Sequence, residues 1–376
     1  MPKNKIFYID NLKVLMTILV ILHHTVITYG GPGSWYYMQK TTQMAALIPM
    51  TMFVSTNQSF FMGFFFFLSA LFLEPSYNKK GPAHFFADRL KRFGIPLIFY
   101  SLVISPILIY LSEVVGRDKQ LSFFSYMSGF HHWIDFGVLW FVAALLVFTL
   151  IYMLVRALLP APTPTAFPPS RPPSDPALLF FAILLGVISF FVRLVFPVGW
   201  TLSPLGFQLG HFTQYIALFG AGIFASRYKW LDNNDPRKGR PWAIAAVLLV
   251  LLGFPGIYMV KVVTNCPIPW FSGGLHGQSL LYALWEQLTG MAIIIALTGW
   301  AKARWNRQSP LLKEMSRAAF GIYIIHPFFV ISFALLLRNW AVDPVGKLPF
   351  VAVASVIASF AVAAGLARLP GLKKIL

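Results

Sequence analysis

The chain has 376 residues, of which 57% are hydrophobic and only 11% charged, with a formal net charge of +18. A water-soluble domain carries about 25% charged residues, so these proportions, with a mean hydropathy of +0.69, exclude a soluble globular protein and imply an integral membrane one. A single cysteine, Cys266, excludes an internal disulfide and leaves the redox compartment open.

Apolar segments long enough, or nearly so, to cross a bilayer fall at about 9–29, 58–74, 94–115, 138–158, 177–197, 206–226, 242–262, 280–300, 318–338 and 348–367. The first is too long for a signal peptide, contains His23 and His24, and is followed by no small-residue cleavage site. The sequence therefore predicts an all-α integral membrane fold, a bundle of about ten transmembrane helices in one domain spanning 1–376. No internal repeat is visible, so the usual pointer to an inverted-repeat transporter is missing. The segment from Pro160 to Pro176 (PAPTPTAFPPSRPPSDP) reads as an extended cytoplasmic linker after the fourth span.

Charge sets the orientation. With the N-terminus inside, seven of the 30 basic residues fall in external segments: Lys40, Arg117, Lys119, Arg193, Lys261, Arg338 and Lys347. The remaining 23 fall in cytoplasmic ones. This asymmetry predicts both termini in the cytoplasm and an even number of spans. Basic loops facing anionic lipid account for the net charge without a nucleic-acid partner.

The first span carries the clearest chemistry. At about 100° per residue, the eleven steps from Lys13 to His24 are three turns plus about 20°, so the two share one face about 16 Å apart along the axis. Thr17 lies within about 20° of His24, and Asp10 and Thr28 within about 40°. Ionisable groups inside a bilayer are expensive and mark a functional path by default. His23 points about 100° away from His24, so geometry prefers His24 as the general base.

After the aromatic run Phe64–Phe67 comes an amphipathic segment in which Arg89 and Arg92 are i,i+3 neighbours. Two guanidinium groups on one face suit phosphate, whether of a substrate or of lipid headgroups. His131, His132 and Asp135 open the fourth span, but their spacing fits no zinc pattern, and no metal site is expected. Glu286 falls within the eighth span, where it either pairs with a basic group, helps to move a proton, or reaches water near the outer interface. In the ninth span Tyr323 and His326 share a face, and Pro327 follows. His326 either lines the same cavity as His24 or bonds a neighbouring helix at the proline kink. His211 in the sixth span reads as a packing residue. The chain lacks a phosphate-binding Gly-Lys-Ser/Thr loop, a Gly-x-Ser-x-Gly elbow and a His-Glu-x-x-His helix.

In order and spacing over about 320 residues, these segments resemble the membrane-bound acyltransferase-3 family. The resemblance rests on Lys13 eleven positions before His24, Phe65–Ala70 (FFFLSA), Lys80-Gly81 with Asp88-Arg89-Leu90, Arg92 and Gly94-Ile95-Pro96, Leu139-Trp140-Phe141, Tyr282–Glu286 (YALWE), and Phe320–Pro327 (FGIYIIHP). The family usually has Arg where this chain has Lys13, and Gly where it has Ala70. Lysine keeps the charge but loses the bidentate fork.

The resemblance implies an O-acyltransferase, similar to the glucan succinyltransferase branch, in a bacterial plasma membrane. It would move an acetyl or succinyl group from cytoplasmic acyl-coenzyme A to a hydroxyl of an extracytoplasmic glycan or glycolipid. Acyl-coenzyme A is then a donor substrate, and no bound cofactor is expected. The implied catalytic residues are His24, Glu286 and His326, with Lys13, Arg89 and Arg92 holding the donor. His23, Tyr323 and Trp140 are the implied substrate-binding side chains. The competing class is a multi-pass transporter or flippase of a polar envelope precursor. The sequence leaves the oligomeric state open.

Overall fold

A computed structural model describes residues 6–131, 133–159, 170–233 and 235–372. Most of the expected Pro-rich linker, together with His132, lies outside the described residues. The first helix, α1 (Phe7–Tyr29), has 23 residues and is about 35 Å long, enough to cross a hydrocarbon core of about 30 Å. A broken hairpin limb follows, made of α2 (Met44–Gln58), α3 (Phe61–Ala70) and α4 (Leu73–Lys80). Next come α5 (Pro82–Val114), α6 (Gly137–Leu158) and α7 (Asp175–Arg193). The chain ends with α8 (Phe212–Arg227), α9 (Pro236–Thr264), α10 (Gly277–Arg304), α11 (Pro310–Leu336) and α12 (Pro344–Leu366).

Among the described residues, nine helices are long and apolar enough to cross a membrane, counting α2–α4 as one. The all-α membrane fold is thus the one the composition predicts. The sixth of the ten expected segments, 206–226, yields only the 16-residue α8 behind a one-turn helix, Leu209–His211. Pro204, Gly206 and Gly210 fall just before it, and residues 202–207 close instead into a tight loop through a Leu202–Phe207 bridge. The second expected span, 58–74, is longer than its apolar run and covers Met44–Lys80.

Proline shapes two of the long helices. Helix α5 contains wide π-helical turns at Leu90–Gly94 and Tyr100–Ile104, and α9 contains one at Leu249–Gly253. Each ends shortly before a proline (Pro96, Pro106 and Pro255), whose ring displaces the carbonyl four residues back and removes a donor. The first of these turns carries Arg92.

Helix α1 is central. It packs against α11 and α12 and also touches α2, α3 and α10. Two-thirds of its apolar window (67%) is buried, against 11% for α9, which faces outward. Helix α8 lies along α3, where Gly222 lets the backbones meet: a Cβ there would come within 2.5 Å of the Phe67 carbonyl oxygen.

Ion pairs gather at the two ends of the bundle. Glu74, buried at the end of the bundle that holds α4, accepts from Arg156 at 3.0 Å and Arg227 at 2.9 Å. All three sit at what the sequence reads as the cytoplasmic end. At the opposite end Arg338 pairs with Asp118 at 2.8 Å, and Lys347 donates to Gln39 and to the Arg338 carbonyl. Arg193 is the exception: grouped by sequence with the external residues, it is fully buried inside the bundle.

Removing one partner of a buried ion pair strands the other charge. Glu74→Ala should lower the apparent melting temperature in detergent by about 3 °C or more. Lys80→Ala, which breaks the exposed 2.6 Å pair with Asp88, should leave it within about 1 °C.

Candidate active site

His24 lies about three-quarters of the way along α1, where three rings meet. The Trp35 indole, from the loop after α1, lies over the His24 ring at 3.9 Å between centroids and 17° between planes. The His326 ring, from α11, is 5.4 Å from His24 and 6.4 Å from Trp35. These distances make nearly a right angle at His24, so Trp35 covers its face and His326 stands at its side. Nδ1 of His24, Nε2 of His326 and the indole nitrogen are buried without a hydrogen-bond partner among the described residues.

The sequence sets which nitrogen of His326 carries a proton in the neutral ring. Pro327 has no N–H, so the Tyr323 carbonyl, four residues back, lacks its helical donor. His326 Nδ1 takes that carbonyl at 2.8 Å. A carbonyl only accepts, so Nδ1 carries the hydrogen of the neutral ring and Nε2 presents a lone pair towards the cluster. The kink proline therefore fixes the tautomer.

His23 is turned away, as the helical spacing predicts. It is buried against Phe61, and its Nδ1 lies 3.2 Å from Asn57 Nδ2. The same amide donates to the Leu19 carbonyl at 3.3 Å. His23 thus ties α1 to the end of α2.

Below the histidines a cavity of about 410 Å³ opens between α1, α3, α5, α6 and α11. Its outer part is lined by Asp10, Lys13, Arg89 and Arg92, and its inner part by Thr17, Ser69, Phe141 and Tyr323. Lys13 has Asp10 at 3.7 Å and lies 4.5 Å over the Phe72 ring. Arg89 lies 4.8 Å over Phe85, and Arg92 lies 6.0 Å from Phe320. Among the described residues no carboxylate is within ion-pair distance of either arginine, Asp88 being paired with Lys80. The two arginines rest on aromatic faces with their donors available to an anion, and Lys13 is shared between Asp10 and the Phe72 ring. Tyr323 ends the cavity, its hydroxyl donating to the Val138 carbonyl, with its ring 5.9 Å from His326.

The structure therefore brings Lys13, Arg89, Arg92 and Tyr323 to one cavity, with His326 5.9 Å beyond Tyr323 and His24 5.4 Å beyond His326. It does not bring Glu286 there. Glu286 accepts from Arg193, lies 3.1 Å from His211 Nδ1 and receives Gln287 at 3.3 Å. Arg193 and Glu286 are 0% and 1% exposed, so the glutamate's role is that of a partner to a buried cation. The cluster still touches the break between α2 and α3: Gln287 accepts from Gln214, which also donates to the Ser59 carbonyl at 2.7 Å. Trp140 stacks on Tyr215 at 5.7 Å, next to Val138 and Leu139 but outside the cavity lining.

Sequence reasoning missed Trp35, Asn57, Arg193 and a partner role for His211. A lone Asn in the apolar stretch 44–71 and a lone Arg in Phe190–Phe196 were the available signals for two of them.

A buried path of ionisable residues through a helical membrane bundle, open to a basic mouth, defines a membrane enzyme or carrier. The family comparison decides between these: residues 6–364 match the acyltransferase domain of the acyltransferase-3 family, and the chain belongs to that family. It is a multi-pass membrane acyltransferase, transferring groups other than amino-acyl groups. No curated protein and no solved structure matches it.

Restoring a donor at position 327 makes the Tyr323 carbonyl shared. Pro327→Ala should leave the apparent melting temperature unchanged or raised, while acyl transfer falls about tenfold. A parallel loss of both would show that Pro327 serves packing alone.

Proposed function

We propose that the enzyme takes a small acyl group, acetyl or succinyl, from coenzyme A on the cytoplasmic side of a bacterial plasma membrane. It passes the group to a hydroxyl of an extracytoplasmic glycan or glycolipid, with the short α8, whose Arg227 reaches Glu74, as a tenth crossing and both termini cytoplasmic. The observation that carries this reading is the cavity with three cations at its mouth and, past its inner end at Tyr323, two histidines. Its volume of about 410 Å³ falls in the range of small-molecule sites.

In this reading Arg89, Arg92 and Lys13 hold the donor's phosphates, Arg89 and Arg92 by paired N–H donors. The pantetheine arm runs past Thr17, Ser69 and Phe141 towards Tyr323 and the histidines. Transfer exchanges a carbon–sulfur bond for a carbon–oxygen one. In direct transfer His24 removes the acceptor's proton, the oxygen attacks the thioester carbon, and the thiolate leaves and is protonated. In a relay, a His24 nitrogen attacks first, and the acceptor hydroxyl then takes the acyl group from the imidazole. His326, with Nδ1 committed to a carbonyl, offers Nε2 as the neighbouring proton acceptor. Glu286 supports the fold around the site by neutralising Arg193, and His23 and Asn57 fix the orientation of α1. Tyr323 shapes the inner end, where substrate passes.

Protein in liposomes, given acyl-coenzyme A and a crude envelope glycan extract, should release free thiol. His24→Ala should reduce release by about 100-fold or more. Arg89→Gln with Arg92→Gln should mainly raise KM for the donor. Wild-type rates in His24→Ala would contradict the mechanism, and unchanged KM in the arginine variant would contradict the donor site.

A further inference from the structure

The end of α1 opposite the basic mouth meets another buried cation, Lys347, in the first turn of α12. Lys347 is 1% exposed. Among the described residues no carboxylate lies within ion-pair distance of it. Asp343, one turn earlier, accepts instead from the Thr41 hydroxyl at 2.8 Å and the Val345 N–H at 2.9 Å. The Lys347 ammonium donates to two neutral oxygens, Gln39 Oε1 at 3.2 Å and the Arg338 carbonyl at 3.0 Å. A buried ammonium is costly, and its hydrogen bonds are about twice as strong as those of a neutral donor. Where those bonds end therefore shows what the lysine holds.

They hold Gln39. Its side-chain amide donates to the same Arg338 carbonyl at 3.0 Å, and its backbone N–H donates to the Thr28 carbonyl at 2.8 Å. Two residues on, the Thr41 N–H donates to the Tyr29 carbonyl at 3.0 Å. Thr28 and Tyr29 belong to the last turn of α1, whose carbonyls lack helical donors. Gln39 and Thr41 thus close the loop back onto the helix that carries His24, and Lys347 ties it to the turn after α11, which carries His326. At the loop's other end the Gly31 N–H donates to the Val26 carbonyl at 2.9 Å.

Trp35 stands midway, four residues from both Gly31 and Gln39. Its ring packs on all three apolar clusters of the core and lies over His24. Loops are more mobile than helices, so that stack depends on how the two ends of the loop are tied. His24 in turn depends on the stack: with no hydrogen bond at Nδ1 among the described residues, the ring packed on it sets its rotamer.

Resting on the reading of His24 as the working residue, we propose that Lys347 is a positioning residue for acyl transfer. Through Gln39 it fixes the loop that lays Trp35 on the His24 ring, and so holds that ring where it takes the proton or the acyl group. Lys347 itself makes and breaks no bond in the reaction.

The test measures thiol release by variants in liposomes, with the same glycan extract. Lys347→Met keeps the length of the side chain and removes its charge and donors. It should lower kcat about tenfold, with KM for acyl-coenzyme A within about twofold of wild type. The apparent melting temperature should be unchanged or raised, since a costly buried charge has gone. Trp35→Ala should lower kcat at least as much. Because Lys347 acts through Trp35, the double variant should match Trp35→Ala within about twofold, whereas two independent losses would multiply. Gln39→Met opens the clasp from its other side; it should behave as Lys347→Met does, and replaces it if that variant does not fold. Wild-type kcat in Trp35→Ala or in a clasp variant, or multiplied losses in the double variant, would overturn the inference and leave the reading of His24 standing. Wild-type transfer by His24→Ala would overturn that reading and this inference with it.

Discussion

The constraint on which this structure depends is the cost of burying charge in a bilayer. A charge among apolar helices must be paired, or must face a cavity that water or a ligand can enter. The protein uses both solutions and keeps them apart. Arg193, Glu286 and His211 close on one another between α7, α8 and α10, and Glu74 holds Arg156 and Arg227 at one end of the bundle. Those groups are consumed by the fold. Arg89 and Arg92 are not consumed in this way, and with Lys13, which keeps Asp10 at 3.7 Å, they line the cavity of about 410 Å³. The separation of paired from available charge distinguishes structure from chemistry here more sharply than burial does.

Helix α1 connects the two ends of the site. Its 3.6-residue period puts Asp10, Lys13, Thr17 and His24 on one side, and its packing against α11 brings His326 beside His24. Pro327 then acts on chemistry rather than on shape alone, because the carbonyl it frees is the one that holds the His326 proton. Rigid helices, with rotamers held by neighbouring rings, position catalytic groups better than loops do.

Much of this was legible in the sequence, for reasons that can be named. The helical class followed from composition, and the Lys13–His24 face followed from angular arithmetic on one uninterrupted helix. The divergence of His23 from His24 by about 100° came from the same arithmetic, and the structure keeps it. What the sequence could not supply was any relation between helices. Glu286 read equally well as a proton carrier or an ion-pair partner until Arg193 and His211 were found against it. Trp35 sits in a Gly- and Pro-containing loop where no period points inward, so its stack on His24 left no mark. The segment 206–226 read as a full span because hydropathy does not register how a loop built on Pro204 and Gly206 shortens the following helix.

The central claim is that one continuous path leads from a cytoplasmic mouth at Lys13, Arg89 and Arg92 to the buried histidines, and that coenzyme A fills it. Ser69 lies partly open along that path, and Cys266 is the sole native thiol. The most direct measurement is therefore labelling of Ser69→Cys, in a Cys266→Ser background, by a small membrane-impermeant thiol reagent added to one face of oriented vesicles. The account predicts labelling from the cytoplasmic face and protection by coenzyme A. Labelling only from the outer face, or labelling that coenzyme A does not slow, would contradict it.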